Sequence, residues 1–134
     1  MLFDYGHRAA ELYSATHSRG TLIAYSRHTA DAVGWIGNPG ACDLTAHVDL
    51  TAVQLSAEAA GLETLGMVDQ TYFLTALGLA ERLDSGGRVE AVKRRLAART
   101  LVMPGGLGST MKVMIFAKGL NRPELSGLRS GRLT

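Results

Sequence analysis

Apolar and polar positions mark out discrete elements along this chain, and the clearest begins at His47-Val48-Asp49-Leu50. Asp49 stands where an N-cap belongs, with a helix running to about Ala60 and Gly61 placed as the left-handed residue that ends it. Val48 before the cap and Val53 four residues after it are spaced for a hydrophobic staple. Residues 62–68, LETLGMV, suit a short strand that Gly66 weakens. A helix, a short turn and a strand make half of an α/β unit. Residues 72–83 predict a second helix, with Phe73, Leu74, Leu77 and Ala80 as its apolar stripe and Ser85-Gly86-Gly87 as its break. Val89, Val92 and Leu96 mark a third helix, in which Glu90 precedes Arg94 by four residues, the favourable order for an ion pair. Pro104-Gly105-Gly106-Leu107-Gly108 stops it, and residues 111–117, MKVMIFA, form a strand apolar enough to be buried on both faces.

The two ends and the stretch before residue 43 read differently. The chain opens MLFDYGH, an apolar run of strand type followed by the polar burst Asp4-Tyr5-Gly6-His7, as where a buried strand reaches a ligand site. Residues 20–25, GTLIAY, are a strand or an extended lid, and Asn38-Pro39-Gly40 is a turn with Pro at its favoured second position. A span of this length without firm structure is often a functional loop. Beyond Gly119 the pattern dissolves, and the last ten or so residues are expected to be mobile.

Composition narrows the class. At 134 residues and 46% hydrophobic, the chain has the length of one domain and the means to bury a core. No apolar run approaches the roughly 20 residues of a membrane helix, and the start lacks the basic, apolar and cleavage segments of a signal peptide, so a cytoplasmic protein without membrane insertion is expected. The single Cys42 makes no internal disulfide, in keeping with a reducing compartment. Arg88, Lys93, Arg94, Arg95 and Arg99 crowd one predicted helix, but no aromatic residues are interleaved with them. They read as a solvated helix face, and no nucleic-acid partner is expected.

Candidate chemistry is acidic and aromatic. His7, His17, His28, His47 and Cys42 have none of the tight spacings that put metal ligands on one face, so no metal is expected. Gly105-Gly106-Leu107-Gly108 resembles a phosphate loop, yet it precedes a strand where such a loop must follow one. No Gly-x-Ser-x-Gly elbow supports a hydrolase triad. What remains is Asp4-Tyr5-Gly6-His7, then Tyr25 and His28, then Asp43-Leu44-Thr45-Ala46-His47-Val48-Asp49. Carboxylates beside aromatic rings are what holds a cationic group, through charge-assisted hydrogen bonds and cation-π contact. Asp49 alone reads better as a helix cap.

The strings DYGH, GTLIAYSRH, PGACDLTAHVDL, AAGLETLGMVDQTYFLTALGLAERL and PGGLGSTMKVM resemble the C-terminal part of the MidA-like family, class I S-adenosylmethionine-dependent methyltransferases whose mitochondrial members assist assembly of respiratory complex I. The resemblance runs to about Lys118 and is most specific in DLTAHVDL; residues 29–37 look less like the family, and Leu107-Gly108 and Met111-Lys112-Val113 are conservative departures.

The resemblance implies an α/β chain, residues 1–118, forming the C-terminal, substrate-side part of a Rossmann-like sheet: strand, loop insertion, helix, strand, two inserted helices and a final antiparallel strand, with residues 119–134 as a tail. The family's Gly-rich donor loop and its acidic and Asn-Glu-Phe-Phe-Asp-type motifs are not in this chain. The S-adenosylmethionine site is therefore expected mostly in preceding sequence, LFDYG being the fifth strand of a seven-stranded sheet, and the isolated chain to be inactive, with an exposed edge and apolar surface. The expected substrate is a protein arginine, in the mitochondrial relative one on a complex I core subunit that becomes symmetrically dimethylated. Asp4 and Asp43 would orient the guanidinium, Tyr5 and Tyr25 would wall the pocket, and His7, His28 or His47 would take up or relay a proton. The alternative is a non-catalytic assembly module, or one half of a split enzyme whose donor-binding half is separately encoded.

Overall fold

The computed structural model describes residues 1–26, 29–31, 36, 39–83, 87–103 and 107–129, with the backbone alone at 29 and 31. In chain order its elements are β1 (Leu2–His7), α1 (Ala9–Leu12), β2 (Ile23–Ser26), β3 (Thr29–Asp31), β4 (Asp43–Thr45), β5 (Val48–Asp49) and α2 (Leu50–Ala59). They continue with β6 (Glu63–Asp69), α3 (Gln70–Ala76), α4 (Leu79–Leu83), α5 (Arg88–Val102), α6 (Leu107–Thr110) and β7 (Met111–Ala117). Single 3-10 turns lie at Ala15–His17 and Ser126–Leu128. This is the α/β architecture the sequence predicts, and it divides into two compact units, residues 1–5 with 53–134 and residues 6–52.

In the first unit β7 is the middle strand, antiparallel to both neighbours. It pairs with β1 from Leu2↔Met114 to Tyr5↔Met111 and with β6 from Glu63↔Ala117 to Asp69↔Lys112. A strand bonded along both edges and covered on both faces needs apolar residues throughout. Val113 and Met114 are accordingly 0% and 1% exposed, and the final antiparallel strand lies where expected. Val68, Phe73, Val113, Ile115 and Leu128 form the core, with Leu65, Leu74 and Leu125 packed against it. Burying a side chain such as Phe73 contributes about 1.5–3 kcal/mol, and its ring also meets Phe3 edge-on at 5.6 Å.

Helix α2 has both of its ends written in the sequence. Asp49 Oδ1 accepts the Ala52 N–H at 3.0 Å at the start. At the finish Gly61 takes φ +78°, which only glycine adopts without strain. There the Leu62 N–H bonds the Ala57 carbonyl at 3.0 Å and the Gly61 N–H that of Glu58 at 2.9 Å, a Schellman closure.

Three expectations are corrected. The helix over residues 72–83 is two, α3 and α4, because Gly78 adopts φ +79° after the Leu77 N–H closes on Phe73. Leu77 and Ala80 are exposed, so the buried stripe stops at Leu74. On α5 the side toward the protein is carried by small residues: Ala98 is buried, while Val89, Val92 and Leu96 face solvent. Its ion pair joins Glu90 to Lys93, three residues on, at 3.3 Å.

Two features went unforeseen. Residues 107–110 coil into α6, where a Cβ on Gly108 would stand 2.3 Å from Thr71 Oγ1 and 2.5 Å from the Val102 carbonyl. Gln70 and Thr71 at the start of α3 hold the end of α5 by hydrogen bonds to the Leu101 and Val102 carbonyls, at 2.9 and 2.8 Å. Close packing thus accounts for Gly108, and 104–106 lie outside the described residues. After Gly119 the chain continues in contact with the first unit, bringing Leu125 and Leu128 to the core.

In the second unit the stretch read as a strand or an extended lid is a strand, β2, the middle of a small antiparallel sheet in the order β3-β2-β4. Ala24 is its buried residue, 1% exposed. The end of β1 pairs in parallel with β5, Gly6 opposite Val48 and His7 opposite Asp49.

Candidate functional site

The DYGH string is explained by the parallel pair it makes. A Cβ on Gly6 would lie 2.2 Å from the Val48 carbonyl oxygen and 2.9 Å from its carbon, so only glycine admits β5 at this separation. That approach sets His7 beside the segment that carries His47, and the His7 Nε2 and His47 Nδ1 atoms lie 2.9 Å apart in a hydrogen bond. The chain then turns into α1, whose Glu11 carboxylate meets His7 Nδ1 at 2.9 Å. The Glu11 carbonyl accepts a hydrogen bond from His17 Nδ1 at 3.0 Å. Three imidazoles gather in this way, with centroids 4.5 Å apart for His7 and His17, 4.8 Å for His7 and His47, and 6.0 Å for His17 and His47.

Hydroxyls and one carboxylate fix the frame. Thr21 Oγ1 accepts the His47 backbone N–H at 3.1 Å, and Thr51 Oγ1 accepts that of Ala9 at 3.0 Å. Asp49, besides capping α2, accepts the Tyr13 hydroxyl and raises its pKa, first through that bond and then through its charge. An open cleft of about 390 Å³ adjoins the cluster, with Leu12, Tyr13, His17 and Thr21 among its walls. Burial, and then the neighbouring His7 and His17, lower the pKa of His47 below the ordinary histidine value. At neutral pH it is an uncharged imidazole.

The residues singled out in the sequence are distributed as follows. Asp4 and Tyr5 lie in the first unit, half-buried on β1 opposite Lys112 and Met111. Asp4 Oδ1 accepts the Tyr5 backbone N–H at 2.9 Å. His7, His47, Tyr25 and Asp43 lie in the second unit. Tyr25 and Asp43 face each other across β2 and β4 in register, both exposed. Directly opposed positions put two side chains on one face of a sheet with Cβ atoms about 4.5–5.5 Å apart. His28 lies outside the described residues. Glu11 stands four residues after His7, a spacing that allows their pairing, whereas nothing in the spacing of His17 from His7 and His47 announces it, and only the turn at 15–17 brings it round.

A crystal structure from Burkholderia thailandensis, bound to S-adenosyl-homocysteine and described as a methyl transferase by inference, superposes with a TM-score of 0.88 at 28% identity. The superposition covers 97% of this chain and 34% of that one. A second crystal structure from the same organism, of an uncharacterized protein of the same superfamily, superposes with the same TM-score and identity over 97% of this chain and 35% of its own. The chain thus spans about a third of the length of these structures. No curated protein matches it. The family described as "Putative S-adenosyl-L-methionine-dependent methyltransferase" matches residues 1–68, half of the chain and the part that holds β1, the histidine cluster and the Tyr25–Asp43 pair. The chain belongs to this family of S-adenosyl-L-methionine-dependent methyltransferases.

Proposed function

We propose that this chain is the acceptor side of a methyltransferase and that its acceptor is a guanidinium, the side chain of a protein arginine, on the pattern of a respiratory complex I core subunit. The observation that carries the reading is the Tyr25–Asp43 pair, an exposed ring and an exposed carboxylate opposed across two strands. A ring face attracts a planar cation and a carboxylate accepts two of its N–H groups, so the pair suits guanidinium better than a compact ammonium. Asp4 on β1, whose Oδ1 accepts the Tyr5 N–H, is proposed on the family resemblance alone as a further carboxylate for an acceptor. His47, uncharged at neutral pH, is a base for the proton the acceptor nitrogen releases on methylation.

The bound sulfonium donor would supply the activated methyl group. Its cradle in a Rossmann-like sheet is a glycine-rich turn between a strand and a helix. The described residues do not fit it: β1 reaches α1 through Arg8, and α2 and α3 follow β5 and β6 directly. The donor site is therefore proposed to lie outside these residues.

The test is transfer of labelled methyl to arginine-containing protein by the polypeptide that carries this sequence in its cell, with the modified residue identified by mass spectrometry. Asp43→Asn should lower kcat/KM about 10- to 100-fold, since a hydrogen bond to a charged group contributes about 1.5–3 kcal/mol, and Tyr25→Ala about 2- to 30-fold, since cation-π contact contributes about 0.5–2 kcal/mol; both should leave donor binding unchanged. Asp4→Asn should behave as Asp43→Asn does. Methylation of lysine or of a small molecule would overturn the arginine assignment. Capture of arginine peptides without methyl transfer would favour an assembly module.

A further inference from the structure

We propose that His7, His17 and His47 form a binding site for one divalent zinc-class ion. Nothing in the methyl-transfer reading requires it, and an occupied site would take His47 out of the role of free base, so that proton would then go elsewhere. One nitrogen from each of the three half-buried rings can be chosen so that all lie within 4.8 Å of one another. Tetrahedral zinc with Zn–N of about 2.0–2.1 Å sets its ligand nitrogens about 3.3 Å apart. The closest pair here, His7 Nε2 and His47 Nδ1 at 2.9 Å, is already at that scale. A movement of roughly 1.5 Å, within reach of imidazole side chains at a half-exposed site, closes the widest one.

Hydrogen bonding around the rings makes the case stronger than proximity does. Metal-ligating histidines donate their other N–H to a carboxylate or backbone carbonyl, which fixes the tautomer and raises ligand basicity. His7 makes this bond from Nδ1 to the Glu11 carboxylate, which puts its lone pair on Nε2, the atom beside His47. His17 makes it from Nδ1 to the Glu11 carbonyl, which puts its lone pair on Nε2 as well. One residue of α1 therefore orients two of the three rings. Three adjacent imidazoles repel one another once protonated, and the ion replaces the proton shared between His7 and His47. Imidazole donors favour zinc, copper, nickel or iron over magnesium and calcium. Three protein ligands leave the fourth position to water or to a group entering the adjoining cleft.

The experiment uses the untagged full chain and Co²⁺ as a spectroscopic stand-in for Zn²⁺. The expected result is one Co²⁺ per chain with the intense visible bands of tetrahedral coordination, displaced stoichiometrically by Zn²⁺. His17→Ala should abolish those bands. Glu11→Ala, which removes the carboxylate but keeps the carbonyl, should weaken binding about 10- to 100-fold, with far-UV circular dichroism of both variants unchanged. Cys42→Ser should bind as the parent does. Absence of one-to-one uptake would overturn the proposal. So would parental affinity in both His17→Ala and Glu11→Ala, or loss of the bands in Cys42→Ser.

Discussion

Glu58 shows how much one exposed side chain can fasten. Its Oε1 accepts Gln54 Nε2 at 3.0 Å and the Thr64 hydroxyl at 2.7 Å, tying α2 to β6. The bond from Gln54, and next that from Thr64, favour the charged carboxylate and hold its pKa below the usual glutamate value, against a smaller opposing effect of burial. A carboxylate with a depressed folded pKa adds stability that is fully present above its unfolded pKa, about 4.3. That stability is lost as pH falls through the lower folded value. An NMR titration of the Glu58 carboxyl carbon should therefore show a midpoint below the ordinary one, returning to it in the double variant Gln54→Ala/Thr64→Val. An unchanged midpoint in that variant would sink the account. Residues of this kind are half legible in sequence. Asp49 announced its cap by position, and Gly6 its special place by standing inside a strand. Glu58 and Glu11 stand four residues after Gln54 and His7, a spacing that signals such pairs on a helix, whereas His17 announced nothing, because it is brought in by a turn whose direction no pattern of apolar residues encodes.

Elements were legible where both of their ends carry local chemistry. Helix α2 is the case to test, since it is closed by a side chain at Asp49 and by a left-handed glycine at 61. Asp49→Ala should cost about 1 kcal/mol, the usual loss for an N-cap, and Gly61→Ala about 1–2 kcal/mol for forcing a Cβ into the left-handed region. Both are read as lowered urea midpoints with an unchanged slope, and Asp49→Asn should recover most of the first loss. Equal midpoints for Asp49→Ala and the parent would mean that packing alone sets the start of α2. β6 and β7 were read correctly for a different reason, an apolar run long enough to be a strand and too short for a helix. The break at Gly78 was missed because its neighbours keep helical spacing of apolar residues on either side. Of the small sheet, β2 was offered only as one of two alternatives and β3 and β4 were missed, because these strands are three or four residues long and mostly exposed, so burial leaves little alternation in them.

At the scale of the molecule, α5 is where sequence and structure differ with the largest consequence. Val89, Val92 and Leu96 are 67%, 48% and 59% exposed, and at spacings of three and four they share one side of the helix. Periodicity identifies such a stripe but not whether the chain at hand covers it; here Ala98 makes the buried contact and the larger residues stay outside. An uncovered apolar stripe of this kind drives association. Arg88, Lys93, Arg94, Arg95 and Arg99 on the same helix oppose it, because two copies meeting here bring like charges together. Salt screens that repulsion, the Debye length falling from about 10 Å at 0.1 M to about 3 Å at 1 M, and leaves the apolar attraction in place. The chain should therefore self-associate more strongly as salt is raised, in sedimentation velocity at fixed concentration. Val92→Lys with Leu96→Glu should hold it monomeric across the same range with its circular dichroism intact. Association that weakens with salt, or that survives in the double variant, would place the contact elsewhere and make this face of α5 a solvated one.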